Sequence, residues 1–415
     1  MRLPIVTLST QERWSCHQCG ICCRGSLVPL DDADLQRLAG QKWEEHSDFK
    51  GIAVTTKLSL GSNRYRLAHR DDGSCVFLQE DGLCRIHAEL GFDAKPKICR
   101  IFPLQLIPRD KDIALTIRRA CPSAAADLGA SVDDHLPWMK KIAEEGTLFL
   151  SAAPAPIFKH GEKRDWKIVR VLLNAISELL RDERYPPVRR IVHAIRLAEL
   201  LHHAKTASLS DAKVEELIAT IRTLVYEEAK PYFSERMAPN ASARILFRSM
   251  ASDYARLHPK YRAKKGMGER IKLLRNAVSI FRGRGALPDL KPALPAGSYE
   301  DLEQALGRID PSIDLPLTRM IETTSASYMY AIADRGHWSV IESVLGLAAT
   351  FPIGLWLLRW SSIGREPTAK EMLDIVVALE RGQGASPLTG KVQRSRLRTL
   401  ASSGELARLV VWYAA

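Results

Sequence analysis

The chain has 415 residues, a formal net charge of +12 at pH 7, and 46% hydrophobic and 26% charged residues. This length exceeds one ordinary hydrophobic core, so it predicts at least two domains. The composition is typical of a globular protein and excludes collagen-like, low-complexity and disordered chains. The positive charge forms no dense basic run interleaved with aromatic residues, so the sequence carries no strong nucleic-acid signal.

The eight cysteines all lie within the first 121 residues, behind an N-terminus that lacks the apolar run of a signal peptide. This start predicts a cytoplasmic protein. Disulfide frameworks belong to short secreted chains, and buried structural cysteines do not repeat at a Cys-x2-Cys spacing, so metal ligation is the favoured interpretation. The candidate metal ligands are Cys16, Cys19, Cys22, Cys23, Cys75, Cys84, Cys99 and Cys121.

The first four cysteines form the pattern Cys-x2-Cys-x2-Cys-Cys. Cys16 and Cys19 make a knuckle that turns two thiolates toward one cation, and Gly20 follows where a left-handed residue often completes such a turn. The spacing opens like a bacterial ferredoxin motif, but the fourth ferredoxin cysteine is absent. Cys22 and Cys23 point to opposite faces if their segment is extended, which is compatible with two metal centres or with one cluster and one mononuclear site. A single site with spare cysteines remains open, as do zinc and a [4Fe-4S] cluster.

The later cysteines are expected among short strands and tight turns. Runs at 64–68 and 75–78 have β-like sequences, and 104–107 with 113–117 predicts a hairpin. Each cysteine is then expected at a strand end or in a turn, where a rigid backbone aims it at a shared centre. His87, three residues after Cys84, is assigned a packing role rather than a ligand role.

The combined motif resembles a known family, the YkgJ-type cysteine-cluster domain, over about residues 12–123. The matching residues are Cys16-x2-Cys19-Gly20-x-Cys22-Cys23-Arg24, Cys75-x-Phe77-Leu78, Cys84-x-Ile86-His87 and Pro96-x2-Cys99-Arg100-x-Phe102-Pro103. That family is described as zinc- or iron-chelating and includes flagellin lysine N-methylases. The resemblance implies that all eight cysteines are metal residues. It also suggests methylation of a protein, with S-adenosylmethionine as a further cofactor, and it identifies no catalytic residue.

The remainder of the chain changes to helical periodicity. The sequence therefore predicts an α+β protein, with a cysteine-cluster domain at 1–128, an all-helical domain at 129–415 and a subdivision at the proline-rich linker 283–297. Predicted helices lie at 166–180, 188–201, 210–229, 241–257, 269–281, 299–306, 317–333, 369–379 and 396–413.

One segment of the helical half resembles a membrane span. Residues 343–358 carry no charge, but the run is shorter than the roughly 20 apolar residues that a span needs. We interpret it as a buried core helix, broken at Pro352, and predict no membrane span. The helical half contains no nucleotide-binding loop, serine nucleophile motif or glycine-rich loop for S-adenosylmethionine.

Two hypotheses of function follow. In the first, the protein is a metal- or cluster-dependent protein lysine N-methylase whose helical domain receives the substrate protein or the cofactor. In the second, it is a non-catalytic zinc- or iron-binding protein whose helical domain binds a partner protein.

Overall fold

The computed structural model has an N-terminal region with short strands and the cysteines, followed by a largely helical region, which confirms the predicted α+β class. The predicted domain boundaries remain predictions. The structure describes residues 3–8, 11–24, 26–59, 63–144, 152–235, 238–255, 267–288, 294–304, 307, 309–332, 338–385 and 391–415.

The strands of the described chain form three small sheets in the N-terminal region, with orders β1-β7-β6, β3-β5-β4 and β2-β8. β6 and β7 are the predicted hairpin, and β1 joins β7 in parallel, a pairing that the sequence did not indicate. The strands are β1 Ile5–Thr7, β2 Arg13–Trp14, β3 Pro29–Leu30, β4 Thr55–Lys57, β5 Tyr65–Leu67, β6 Leu104–Pro108, β7 Ile113–Ile117 and β8 Ala130–Ser131.

Helices α1 to α5 belong to the cysteine-rich end of the chain, and α6 to α18 form the helical region. The first group is α1 Asp32–Gly40, α2 Arg85–Leu90, α3 Lys97–Ile101, α4 Pro122–Ala125 and α5 Val132–Glu144. The second group is α6 Trp166–Leu180, α7 Pro187–His203, α8 Asp211–Glu228, α9 Lys230–Ser234, α10 Ala241–Ala255, α11 Met267–Arg282, α12 Tyr299–Leu302, α13 Pro311–Ala326, α14 Met329–Ile332, α15 Val340–Ser361, α16 Ala369–Ala385, α17 Lys391–Ser402 and α18 Glu405–Tyr413.

Two small cores support the cysteines. One is aromatic: the ring of Trp43 lies 5.2 Å from that of Phe49 and 5.0 Å from that of Phe77, and Cys75 belongs to the same buried cluster. The other lies between β7 and α5, where Leu115 and Met139 are fully buried. Cys121 belongs to this second cluster, so each core includes one of the cysteines.

Helix α15 forms the centre of the helical region. It is long and apolar enough to cross a membrane by length and composition alone, but the whole apolar window is buried inside the protein. The prediction of a buried core helix is confirmed, whereas the predicted break is wrong, since α15 continues through Pro352. Proline removes one helical hydrogen bond, and packing on every side of the helix outweighs that loss.

The predicted helices at 166–180, 188–201, 210–229, 269–281 and 369–379 are confirmed within a few residues, apart from α16, which runs on to Ala385. The predicted helix at 396–413 is two helices, because Gly404 adopts a left-handed φ of 67° between them. The expected strand at 75–78 is wrong: Val76 and Phe77 form a turn between isolated bridges.

The predicted helix at 317–333 starts earlier and is interrupted. α13 begins at Pro311 because Asp310 caps it, its carboxylate accepting a hydrogen bond from the Ser312 amide at 2.8 Å. Tyr328 has a left-handed φ of 60° and separates α13 from α14. Several predicted ends and joints lie outside the described residues, namely 256–257, 289–293, 305–306, 333 and 386–390.

A buried histidine in the helical region gives a first testable prediction. His193 is 2% exposed and packs against the rings of Tyr185 and Tyr226 at 5.0 and 4.8 Å. Burial, aided by the charge of Arg189, lowers the pKa of His193 to about 4. The unfolded chain therefore takes up this proton near pH 6.5 and the folded chain only near pH 4, so stability falls as the pH drops between these values.

His193→Phe is expected to remove up to about 3 kcal/mol of that acid sensitivity, since one pKa unit corresponds to about 1.4 kcal/mol. The measurement is the difference between variant and wild-type unfolding free energies from pH 7 to pH 4. The exposed His160→Phe is the control and should leave the profile unchanged. Parallel profiles for His193→Phe and the wild type would contradict the assignment.

Candidate metal centre

The Cys16–Cys19 knuckle is a tight turn that packs against a second turn. Gly20 has a left-handed φ of 66°, which confirms the prediction for this position, and Gln18 inside the knuckle has a φ of 54°. A Cβ atom on Gly20 would lie 3.0 Å from the carbonyl oxygen of Gly82. The knuckle therefore lies directly on the turn that precedes Cys84.

The segment that leads into the knuckle is fixed by residues that follow the last cysteine. β2 pairs with β8, and the Ser15 amide donates a hydrogen bond to the Leu128 carbonyl at 2.8 Å. Gly129 has a φ of 112°, and a Cβ atom there would lie 2.4 Å from the Ser15 backbone nitrogen. Only glycine permits this approach, which brings the two ends of the cysteine region together.

Cys22 and Cys23 lie in a 3-10 helical turn, Ile21–Cys23, and not in an extended segment. Their sulfur atoms are 3.9 Å apart. The expectation that they point to opposite faces is therefore wrong. Consecutive side chains diverge by about 120° in a 3-10 turn and by about 180° in a strand, so this turn keeps both thiols on one side.

The four later cysteines lie on separate segments of the chain. The Cys75 amide donates a hydrogen bond to the Cys23 carbonyl at 2.7 Å. Cys84 and Cys121 occupy the N-cap positions of α2 and α4. Cys99 lies inside α3, so the prediction of a strand end or turn is wrong for this residue. No disulfide joins any of the eight cysteines.

Electrostatic interactions show which thiols are neighbours. Cys23, Cys75 and Cys99 are each influenced by Cys22 and Cys84, and Cys121 is influenced by Cys19 and Cys22. Cys16 is exposed. The five residues that these interactions connect, called the inner group below, are Cys22, Cys23, Cys75, Cys84 and Cys99.

Burial opposes ionisation of most of these thiols. It raises the pKa of Cys75 to about 11, and it raises the pKa values of Cys99 and Cys121. Within the close pair, the hydrogen bond between the sulfurs lowers the pKa of Cys22 to about 6 and raises that of Cys23. Several thiolates can occupy so small a space only if a cation compensates their charge.

Two basic side chains that sequence reasoning missed face the thiols. The charge of Lys95 favours the thiolate form of Cys22 and opposes the rise that burial causes in the pKa of Cys99. Its position four residues before Cys99 in the sequence could have indicated this role. Arg381 comes from α16 of the helical region. Its guanidinium donates hydrogen bonds to the carbonyl oxygens of Ile21 at 2.9 Å and Ala120 at 3.2 Å. No sequence pattern indicates a contact across such a separation.

The donor set fits zinc or an iron–sulfur cluster in chemistry, because both bind thiolates. Across the described residues, which include all eight cysteines, no three His, Cys, Asp or Glu side chains are arranged to hold a metal ion. Coordination by the inner group therefore requires side-chain rotations within it. Sulfur atoms already 3.9 Å apart, as in Cys22 and Cys23, are close to the separation that two ligands of one tetrahedral metal need.

The two histidines near the cysteines have other contacts. The His17 ring is hydrogen-bonded through Nδ1 to the Ser123 hydroxyl at 2.9 Å. The His87 ring packs edge-on against Phe92 at 5.9 Å, which agrees with the packing role predicted for it. The cysteines therefore remain the better ligand candidates.

The cysteine region is similar to a known protein family. Residues 15–122 match the CxxCxxCC family. That family is described as "Putative zinc- or iron-chelating domain". The match begins one residue before the knuckle and ends one residue after Cys121, so it spans every cysteine in the chain.

Curated relatives fall into two kinds. A lysine-N-methylase of Salmonella typhimurium is 21% identical over 272 residues, 63% of this chain and 63% of that protein, and one of Salmonella choleraesuis matches equally. An uncharacterized protein of Methanocaldococcus jannaschii is 32% identical over 111 residues, 26% of this chain and 36% of that protein. The chain thus spans less than two thirds of these relatives. No solved structure matches.

The turn geometry of the Cys16–Cys19 knuckle gives a second prediction. Gly20→Ala places a side chain at a left-handed φ and against the Gly82 carbonyl, at a cost of about 1 kcal/mol for the backbone plus the contact. The knuckle should then retain metal less firmly. Gly40→Ala is the control, since a Cβ atom on Gly40 meets nothing within 4 Å and its backbone has no positive φ. Metal loss to a chelator should be faster for Gly20→Ala than for Gly40→Ala, and equal rates would contradict the prediction.

Proposed function

We propose that the protein binds zinc or an iron–sulfur cluster through its cysteines and methylates lysine side chains of a protein. The observation that carries the metal part is the gathering of thiols from segments far apart in sequence around Cys22 and Cys23, with no disulfide among them. A cluster of cysteines without disulfides in a long chain is typical of a metal site. Buried thiols that bind no metal are not expected to collect from distant segments of the sequence.

The methylase part is supported by the extent of the similarity to the Salmonella proteins. Their alignment covers 272 residues and therefore continues beyond the CxxCxxCC domain into the helical region. A similarity restricted to the metal domain would support metal binding alone. The proposed methyl donor is S-adenosylmethionine: its methyl–sulfur bond breaks as a bond to the lysine nitrogen forms, leaving a neutral thioether and releasing one proton to solvent.

In this proposal the residues of the chain hold and orient groups. The inner group and its neighbours Cys19 and Cys121 hold the metal centre, with Cys16 as a further candidate. Arg381 and Lys95 place positive charge beside the thiolates and thus offset part of their mutual repulsion. Because Arg381 belongs to α16, the helical region is positioned directly against the metal domain.

The experiment has two parts. Protein purified without oxygen is analysed for zinc, iron and sulfide, and its visible spectrum is recorded. The gene is then deleted, and methyl-lysine in the cell's proteins is compared by mass spectrometry before and after restoring wild-type or Cys99→Ser protein. The proposal expects methyl-lysine on at least one protein to be lost on deletion and restored only by the wild type. Unchanged methyl-lysine would overturn the methylase.

The non-catalytic alternative is favoured by one observation: the relative with the higher identity, at 32%, matches over a length close to that of the metal domain alone. Stoichiometric metal without any change in methyl-lysine would establish this alternative. A cytoplasmic location is also proposed, since reduced thiols suit a reducing compartment. Cell fractionation tests it, and recovery in an extracytoplasmic fraction would refute it.

A further inference from the structure

A second site is built into the helical region, away from the cysteines. A cavity of about 730 Å³ lies between α7, α13 and the C-terminal end of α18. This volume is typical of pockets that hold a cofactor-sized molecule. Phe351 and Leu355 of α15 give it an apolar wall, and Arg119 reaches it from the metal domain, two residues before Cys121.

One wall of the cavity carries a polar stripe. Asp314, Thr318 and Glu322 follow one another at intervals of four residues along α13, so they share one face of the helix, and all three line the cavity. Glu322 is paired with Arg190 at 2.7 Å. Asp314 has no ion-pair partner among the described residues, and burial raises its pKa to about 6. A ligand cation beside Asp314 would supply the missing partner.

Two buried side chains of the cavity have polar atoms without a hydrogen-bond partner within the described part of the chain. Thr318 is 7% exposed, and its hydroxyl makes no hydrogen bond. Arg119 is 1% exposed, and its Nε atom is unbonded although Nη1 donates to the Ala124 carbonyl at 2.9 Å. Buried polar groups are nearly always satisfied in native proteins, so unsatisfied ones that line a cavity indicate a ligand.

Two arginines of the cavity lining share one carboxylate partner. Arg119 and Arg319 both pair with Asp127, at 3.1 and 2.8 Å. One negative charge shared by two guanidinium groups leaves one positive charge uncompensated within this group of three. Guanidinium groups bind carboxylates in a bidentate manner, so these two arginines suit an acidic group of a ligand.

We propose that this cavity binds S-adenosylmethionine by its charged methionine end, with Arg119 and Arg319 receiving the carboxylate and Asp314 a cationic group. The identity of the ligand rests on the proposed function. The inference that the ligand carries both a negative and a positive group rests on the residues of the cavity alone. Its contact with Arg119 places the ligand beside the chain that leads to Cys121.

The test is titration calorimetry of S-adenosylmethionine into the full chain purified without oxygen. Asp314→Asn and Thr318→Val keep the side-chain shapes, and each removes one polar contact with the ligand, so each is expected to weaken binding by about tenfold. The matched controls are Asp374→Asn and Thr220→Val, at exposed positions outside the cavity, which should stay within about twofold of the wild type. Unfolding curves verify that every variant is folded.

A second ligand tests the charged end directly. 5′-Methylthioadenosine keeps the adenosine and the sulfur but lacks the carboxylate and the ammonium, so it should bind at least about tenfold more weakly. Wild-type protein that does not bind S-adenosylmethionine, or binding that Asp314→Asn leaves unchanged, overturns the inference. Asp314-dependent binding without any methylation keeps the cavity assignment and refutes only the methylase. Methylation that persists in Asp314→Asn with unaltered affinity refutes the cavity assignment and keeps the methylase.

Discussion

Cys99→Ser is expected to abolish stoichiometric metal binding by the purified protein. Cys99 belongs to the inner group and lies within α3, where serine fits the same space but is a poor ligand for zinc or iron. Substitution of a residue that hydrogen-bonds to a metal ligand already lowers metal affinity by about 10–100-fold. Loss of a ligand itself should therefore lower metal affinity by more than about 100-fold. Elemental analysis after anaerobic purification measures this.

The matched control for that variant is Ile98→Ser. Ile98 neighbours Cys99 in the sequence but is 37% exposed, so the same polar side chain enters α3 without touching the thiols. It should retain the metal content of the wild type. Cys99→Ser protein with full metal content would show that Cys99 is not a ligand, and loss of metal in both variants would show that α3 itself had unfolded.

The second large effect is expected at Glu342, a carboxylate that joins two helices of the core. It is 5% exposed, accepts a hydrogen bond from Arg394 at 2.8 Å and is also paired with Arg398, both of α17. It further accepts the Ser339 amide at 2.8 Å in the capping box of α15. Glu342→Gln leaves Arg394 and Arg398 without their counter-charge. Because these arginine side chains are 20% and 36% exposed, solvent screens part of the loss, and we expect a cost of about 2 kcal/mol, between that of a surface pair and that of a fully buried one.

The pH dependence gives the same prediction a second readout. Burial works to raise the pKa of Glu342, but the hydrogen bonds from Arg394 and Ser339 and the charge of Arg398 hold it at about 2. A lowered folded pKa contributes stability above pH 4.5, and this contribution is lost as the pH falls toward 2. The free energy of unfolding of Glu342→Gln, measured with denaturant, should not show this decrease between pH 4.5 and 2.

The control for Glu342→Gln is Asp374→Asn, which breaks an exposed pair with Lys370 on α16. Exposed pairs contribute about 0–1 kcal/mol, so this variant should unfold almost like the wild type. Equal destabilisation of the two variants would mean that the ion pairs of Glu342 contribute no more than a surface pair does.

Patterns among neighbouring residues in the sequence predicted many of the turns and helices. The spacing of Cys16 and Cys19 followed by Gly20 predicts a left-handed turn, because only a few backbone conformations close so short a knuckle. The periodicity of 166–180 predicts α6, because apolar residues every three or four positions make one buried face. The apolar run at 343–358 likewise predicts a buried helix, but not its continuation through Pro352, which packing from several other helices decides.

The sequence by itself determined which residues are the candidate ligands, the resemblance of the cysteine region to a zinc- or iron-chelating family and the division into a strand-containing region and a helical region. Spacing and periodicity are properties of neighbouring residues, and a chain displays them before it folds. Only the tertiary structure decided that Cys22 and Cys23 share a side, that Arg381 reaches the thiols and that Asp314 and Arg119 face one cavity. These arrangements join segments up to hundreds of residues apart, and they form only when packing of the core brings those segments together.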